Sequence, residues 1–139
     1  MNNKKKLLMV LGAGVFQCAG IRRAVDAGIR VVTVDNDPAS PGHEISGNPL
    51  NISTVATSKV LAAAKRLKID GIATFASDVA TLTVAEVASK LGLPGPSVSC
   101  VRHLASKTRF RTQQHEQGIP APEFAICNGK LDFARVTKM

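Results

Sequence analysis

Leu7-Leu8-Met9-Val10-Leu11-Gly12-Ala13-Gly14 is the stretch on which the reading of this chain turns. Five consecutive apolar residues, ended by Gly-x-Gly and followed by a helical pattern, predict a strand buried on both faces that hands over directly to a helix. Such a strand belongs at the centre of a sheet. Glycines let the backbone turn sharply and approach a ligand closely, and the following helix aims its unpaired N–H groups and positive dipole end at the same place. A dinucleotide-binding loop would carry a third glycine at position 17, but that residue is Gln17 and the next glycine is Gly20. The loop is therefore a fold signal and a candidate anion site, with an incomplete cofactor fingerprint.

After the turn, Val15, Cys18, Ile21 and Val25 recur at helical spacing and predict the buried face, with Gln17, Arg22, Arg23 and Asp26 opposite. Gly28 suits the left-handed position that ends the helix, and Ile29 to Val34 read as a β-branched second strand. The βαβ unit so formed is right-handed and joins parallel neighbours. The second strand ends at Asp35, about 20 residues after Gly14, where a ribose-binding carboxylate would stand, although the same residue serves equally as a turn former. Asp35-Asn36-Asp37-Pro38 through Pro41-Gly42 has no periodicity and is expected to be a loop at the carboxyl edge.

Pro49 to Ser53 predict a short third strand, and Thr57 or Ser58 a cap for a helix with Val60, Leu61, Ala64 and Leu67 on one face. Lys59, Lys65, Arg66 and Lys68 form its solvated side. Ile69 to Phe75 read as a strand beside the first, followed by Ala76-Ser77-Asp78 and a helix bearing Val79, Leu82, Val84, Val87, Ala88 and Leu91, closed by Gly92. Ser77 and Asp78 either cap that helix or project into the crevice that open α/β sheets form outside the carboxyl ends of their strands. Past Pro94-Gly95-Pro96, Ser97 or Ser99 starts a short helix and Ser106 a second, polar one over 107–117, ending at Gly118-Ile119-Pro120-Ala121-Pro122. Glu123 to Cys127 read as a strand, Asn128-Gly129 as its turn, and 131–139 as a further amphipathic start. The expected sheet order is third strand, second, first, then the Ile72–Phe75 strand, with the Gly12–Gly14 loop and Ser77 on one edge.

Composition narrows the possible functions. With 139 residues, 45% of them hydrophobic and 20% charged, the chain has the makeup of one ordinary soluble domain with a real core. The net charge of +8 would suit nucleic acid or an anionic ligand. Nucleic acid is disfavoured: Trp and Tyr are absent, the five Phe are not interleaved with basic residues, and no zinc-finger or basic-helix motif is present. Cys18, Cys100 and Cys127 are widely spaced without a CxxC pair, so neither a disulfide framework nor a zinc site is expected and a reducing cytoplasm is the simplest compartment. His43, His103 and His115 lack ligand spacing and are expected at the surface or as caps, with no metal site. Lys4-Lys5-Lys6 before an apolar run superficially imitates a signal peptide, but the glycines interrupt the run and no small-residue cleavage site follows. No stretch is long enough to span a membrane. No nucleophile elbow or Cys–His pairing supports covalent catalysis.

Several motifs in order, Val10-Leu11-Gly12-Ala13-Gly14, Val34-Asp35-Asn36-Asp37-Pro38 with Pro41-Gly42, and Asp70-Gly71-Ile72-Ala73-Thr74-Phe75-Ala76-Ser77-Asp78, resemble the N-terminal domain of ATP-grasp ligases. So do Leu91-Gly92-Leu93-Pro94-Gly95 and Lys107 with Phe110 and Gly118-Ile119-Pro120-Ala121-Pro122. The members similar to carbamoyl-phosphate synthase are nearest in flavour, and purine-biosynthesis carboxylating enzymes and biotin carboxylase share the layout. The resemblance implies a Rossmann-like pre-ATP-grasp domain over 1–97, a parallel sheet with helices on both faces. Residues 98–139 would be linker helices and the start of an ATP-grasp domain.

It further implies a carbon–nitrogen ligase that activates a small carboxylate or bicarbonate-type substrate as an acyl phosphate. Gly12, Ala13, Gly14, Asp35, Ser77 and Asp78 would face that substrate and Lys107 would contact ATP phosphates. ATP and magnesium would be bound mainly by an ATP-grasp domain that this length does not hold, so the chain is expected to be inactive by itself, as a fragment or truncated product, with a homo-oligomer possible and no membrane or nucleic-acid partner. Two other readings compete: a small NAD(P)-binding domain, on the strength of the glycine turn and Asp35, and a non-enzymatic interaction domain.

Overall fold

Side chains alternate along a strand, and in β1 (Leu7–Leu11) the alternation sends Leu7, Met9 and Leu11 to one face of the sheet and Leu8 and Val10 to the other. A computed structural model describes residues 5–126. After β1 come α1 (Val15–Asp26), β2 (Arg30–Asp35), α2 (Pro41–Ser46), β3 (Pro49–Asn51), α3 (Thr57–Leu67) and β4 (Gly71–Ala73). A 3-10 turn (Asp78–Ala80) leads into α4 (Thr81–Leu91), and α5 (Val98–Leu104) and α6 (Lys107–Glu116) follow. The chain divides into two compact units, Met1–Val101 and Arg102–Met139.

In the first unit the four-stranded sheet has the expected order β3-β2-β1-β4 with every pairing parallel: the chain steps from β1 to β2 to β3 on one side, then crosses back to place β4 on the other side of β1. On one face Met9, Leu11, Val32, Val34 and Ile72 pack with Val60, Ala63 and Ala64 of α3 and Val84, Val87 and Ala88 of α4. On the other, Val10 and Val31 pack with Ile21 and Ala24 of α1, Ile45 of α2 and Phe75. Each fully buried aliphatic side chain is worth about 1.5–3 kcal/mol, so the larger α3/α4 layer carries most of the stabilisation and the smaller α1/α2 layer serves the edge where the loops emerge. The basic side chains of α3 (Lys59, Lys65, Arg66, Lys68) lie in solvent, as expected.

Several features differ from the sequence expectation. The buried face of α1 keeps Ile21, as expected, but joins it with Gln17 and Ala24 in place of Val15 and Val25: Val15 is 74% exposed and Gln17 only 7%. Small residues at Gly20 and Ala24 let the helix come close on that face, and close approach outweighs the size of the apolar side chains.

Pro41–Ser46 is a helix rather than loop, started by Pro41 in its first turn and ended by Gly47 at φ 65. His43 on it is buried, not at the surface. Its Nδ1 stands 2.7 Å from the Thr33 hydroxyl, which also lies 2.8 Å from Ser46 Oγ, so a short polar chain fastens α2 to β2.

Thr57 does not cap α3; its hydroxyl meets that of Thr83 at 3.0 Å and links α3 to α4. Val79 lies in the 3-10 turn, 68% exposed, before α4 begins. Residues 123–126 form no strand, since none of the described residues pairs with them. Ser97 and Ser106 do cap, accepting from the N–H groups of Cys100 (3.1 Å) and Arg109 (3.4 Å). Cys127, the Asn128-Gly129 turn and the 131–139 segment lie outside the described residues.

Candidate substrate crevice at the sheet edge

The candidate crevice is assigned by topology: β1 and β4 lie side by side and their following helices pack on opposite faces of the sheet, the place where open α/β sheets bind ligands. The loop from β1 forms one wall. Gly12 adopts φ +95, a conformation open to glycine and strained for other residues, and turns the chain out of the sheet. Gly14 is extended (φ -67, ψ 178) and occupies the N-cap of α1 without a side chain to cap it.

The loop uses most of its own donors. Gly12 N–H donates to Val34 O at 2.8 Å, and Ala13 N–H donates to Asp35 Oδ2 at 2.8 Å. Asp35 Oδ1 accepts a second bond, 3.1 Å, from Asp37 N–H. Asp35 lies beside the glycine turn, but both its carboxylate oxygens hold backbone: the side chain ties the turn to the end of β2. What remains for a ligand is the N–H of Gly14 with those of Val15 and Phe16, for which the helix supplies no internal acceptor, whereas the Gln17 N–H donates to Gly14 O at 3.0 Å. No acidic residue occupies that turn. Its side chains are Val15 and Phe16, 74% and 81% exposed, an apolar rim beside polar N–H groups.

The second wall follows β4. Thr74 Oγ1 donates to Leu11 O at 2.8 Å, and Ala76, a non-glycine residue at φ 53, reverses the chain into Ser77. Ser77 sits at the N-cap of the 3-10 turn with an extended backbone and makes no capping bond, so the capping alternative for its hydroxyl is not realised; Asp78 is exposed. Both residues follow the carboxyl end of β4, which pairs in parallel with β1, the strand that leads into Gly12–Gly14.

The sequence reading missed the residue that joins the two walls. Gln17, set aside as a failed third glycine on a solvent face, donates through Nε2 to Phe75 O (2.8 Å) and Ala76 O (3.3 Å). Its side chain lies against both glycines: a methyl group at Gly12 would stand 3.2 Å from Gln17 Cδ, and one at Gly14 3.2 Å from Gln17 Oε1. The signal available was the polar residue itself, standing in the fingerprint where glycine gives close packing of helix on strand.

Lys107 opens α6 in the second unit and is exposed. Among the described residues no three His, Cys, Asp or Glu side chains gather in a way that could hold a metal ion. No helix among them is long and apolar enough to cross a membrane.

A parallel sheet with a glycine turn and a crevice at its switch point defines the class: a Rossmann-like α/β domain. The family is narrower. The sequence model of the ATP-grasp N-terminal domain matches residues 21–95, more than half of the chain, and the chain belongs to that family. No curated protein matches it. Among solved structures it is similar to N5-carboxyaminoimidazole synthetase from Staphylococcus aureus, complexed with ADP (TM-score 0.77, 13% identity, covering 99% of this chain and 37% of that one). It is also similar to phosphoribosylglycinamide synthetase from Anaerococcus prevotii (TM-score 0.73, 21% identity, 83% and 30%). A third is the L-amino acid ligase from Bacillus licheniformis (TM-score 0.70, 19% identity, 87% and 32%). At these identities the likeness is one of fold, and the chain spans about a third of the length of the structures it matches.

Proposed function

We propose that this chain is the N-terminal substrate-binding domain of an ATP-dependent ligase that joins a carboxylate to an amine, with Gly14, the first turn of α1, Ser77 and Asp78 facing the acid substrate. The observation that supports this most directly is the pairing, at one edge of a sheet of the ATP-grasp N-terminal family, of unpaired helix N–H groups with a serine hydroxyl not engaged in capping. A small anionic group is what such an edge attracts. In the complete ligase the acid would be activated as an acyl phosphate. ATP would be held mainly by an ATP-grasp domain, with Lys107 contributing to its phosphates. That domain, and a cytoplasmic setting, belong to the proposal, as does the finer likeness to carbamoyl-phosphate synthase, which rests on the order of the sequence motifs. Within the crevice Gly12, Ala13 and Asp35 shape the wall, since their polar groups already bond one another and β2.

The test is an amide-shift NMR titration of this chain with inorganic phosphate, with ADP and with NADH. Phosphate is expected to move Gly14, Val15, Phe16 and Ser77, while NADH leaves the spectrum unchanged at micromolar concentration. Micromolar NADH binding centred on Gly12–Gly14 would replace the ligase reading with the dinucleotide one.

A further inference from the structure

We infer that Gln17 is the positioning residue of this crevice, setting where Ser77 and Asp78 stand relative to the Gly14 N–H. The inference deepens the substrate-site reading above and rests on it for the meaning of the crevice, though not for the geometry. Gln17 is 93% removed from solvent, counting from its 7% exposure, and an amide so placed needs partners. It finds them in two consecutive carbonyls, Phe75 O and Ala76 O, on a segment it is remote from in sequence. The second of these belongs to Ala76, whose left-handed backbone is disfavoured for a residue with a Cβ and persists only where surroundings impose it.

The surroundings are identifiable. The ring of Phe75 lies over Gly20, one turn along α1 from Gln17: a methyl group built on Gly20 would stand 2.0 Å from Phe75 Cζ. Thr74 is held by its bond to Leu11 O. The three residues Thr74, Phe75 and Ala76 are thus each fixed by β1 or α1, and Gln17 supplies the last contact before the chain turns into Ser77. The same side chain rests on Gly12 and Gly14, so it touches both walls at once. A glycine at 17 would leave nothing between them, and any residue lacking an N–H₂ group would leave two carbonyls without their donor. Gln17 acts through the backbone, by its two bonds to the Phe75 and Ala76 carbonyls.

The experiment compares the whole chain with Gln17→Met, which keeps the length and loses the donor, and Gln17→Glu, which sets an acceptor against two acceptors. Backbone order parameters at Ala76, Ser77 and Asp78 should fall from the rigid value of about 0.85 to below about 0.6 in both variants, with Val32 and Val84 as unaffected controls. In the same samples the phosphate affinity read at Gly14 and Ser77 should weaken on the order of tenfold, the effect of losing one well-placed group. If Gln17→Glu does not fold, Gln17→Met alone decides. Wild-type rigidity and wild-type phosphate response in Gln17→Met would overturn the inference and leave Gln17 a packing residue. If phosphate moves neither Gly14 nor Ser77 in the unsubstituted chain, the substrate reading fails instead, and the order parameters still judge the positioning by Gln17.

Discussion

The N–H of Gly42 donates to the carbonyl oxygen of Ala13 at 2.7 Å, and a methyl group on Gly42 would stand 2.7 Å from that same oxygen and 2.6 Å from Ile21 Cδ1. The helix α2 is thus pressed against the glycine turn at a point where no side chain fits. Gly42 was legible in the sequence only as a turn residue, and its actual work is to let α2 dock on the loop that forms the crevice.

Gly42→Ala should therefore destabilise the chain by about 1–3 kcal/mol or more, since the clash is with backbone that Asp35 and Val34 also hold in place. Gly20→Ala meets the far end of the Phe75 ring, which can swing aside, and should cost less. Urea unfolding of both variants checks the order; an equal or greater loss in Gly20→Ala would contradict it.

Asp35→Ala leaves the N–H of Ala13, a fully buried residue, without its acceptor. A loss of about 1–3 kcal/mol is expected from an unsatisfied buried donor, and Asp35→Asn should lose less because it keeps one acceptor oxygen. If Asp35 served ligand alone, both variants would unfold at the midpoint of the unsubstituted chain.

Thr33→Val keeps the shape of a fully buried strand residue and removes the hydroxyl that meets both His43 Nδ1 and Ser46 Oγ. The expected cost is again about 1–3 kcal/mol, concentrated in the docking of α2. A double-mutant cycle with Ser46→Ala should show coupling, because the two hydroxyls share one chain. Additive losses would mean that the chain does not act as a unit.

The residues of this chain should neither hydrolyse ATP nor ligate an acceptor by themselves. Phosphoryl transfer to a carboxylate depends on positioned cations, and Lys107, the candidate phosphate contact, stands exposed at the start of α6. Phosphate release with ATP, magnesium and bicarbonate or amino acids should stay at background in the chain and in Lys107→Ala. Turnover that disappears in the variant would place an active site within these residues.

Much of the architecture follows from the sequence alone, because a doubly buried parallel strand needs an unbroken apolar run and Leu7–Leu11 supplies one. The glycine turn after it, the β-branched second strand and the right-handed crossovers leave one strand order, and the sheet has it. Which face of α1 is buried was decided by tertiary structure: Gly20 and Ala24 allow a close approach that a rule favouring large apolar side chains overlooks, and the rotation carries Gln17 inward and Val15 and Phe16 out. The same holds for Asp35. Its place at the crevice is written in the spacing, but whether its oxygens meet a ligand or the Ala13 and Asp37 N–H groups depends on how closely two loops from different strands approach, and local sequence carries no record of that distance.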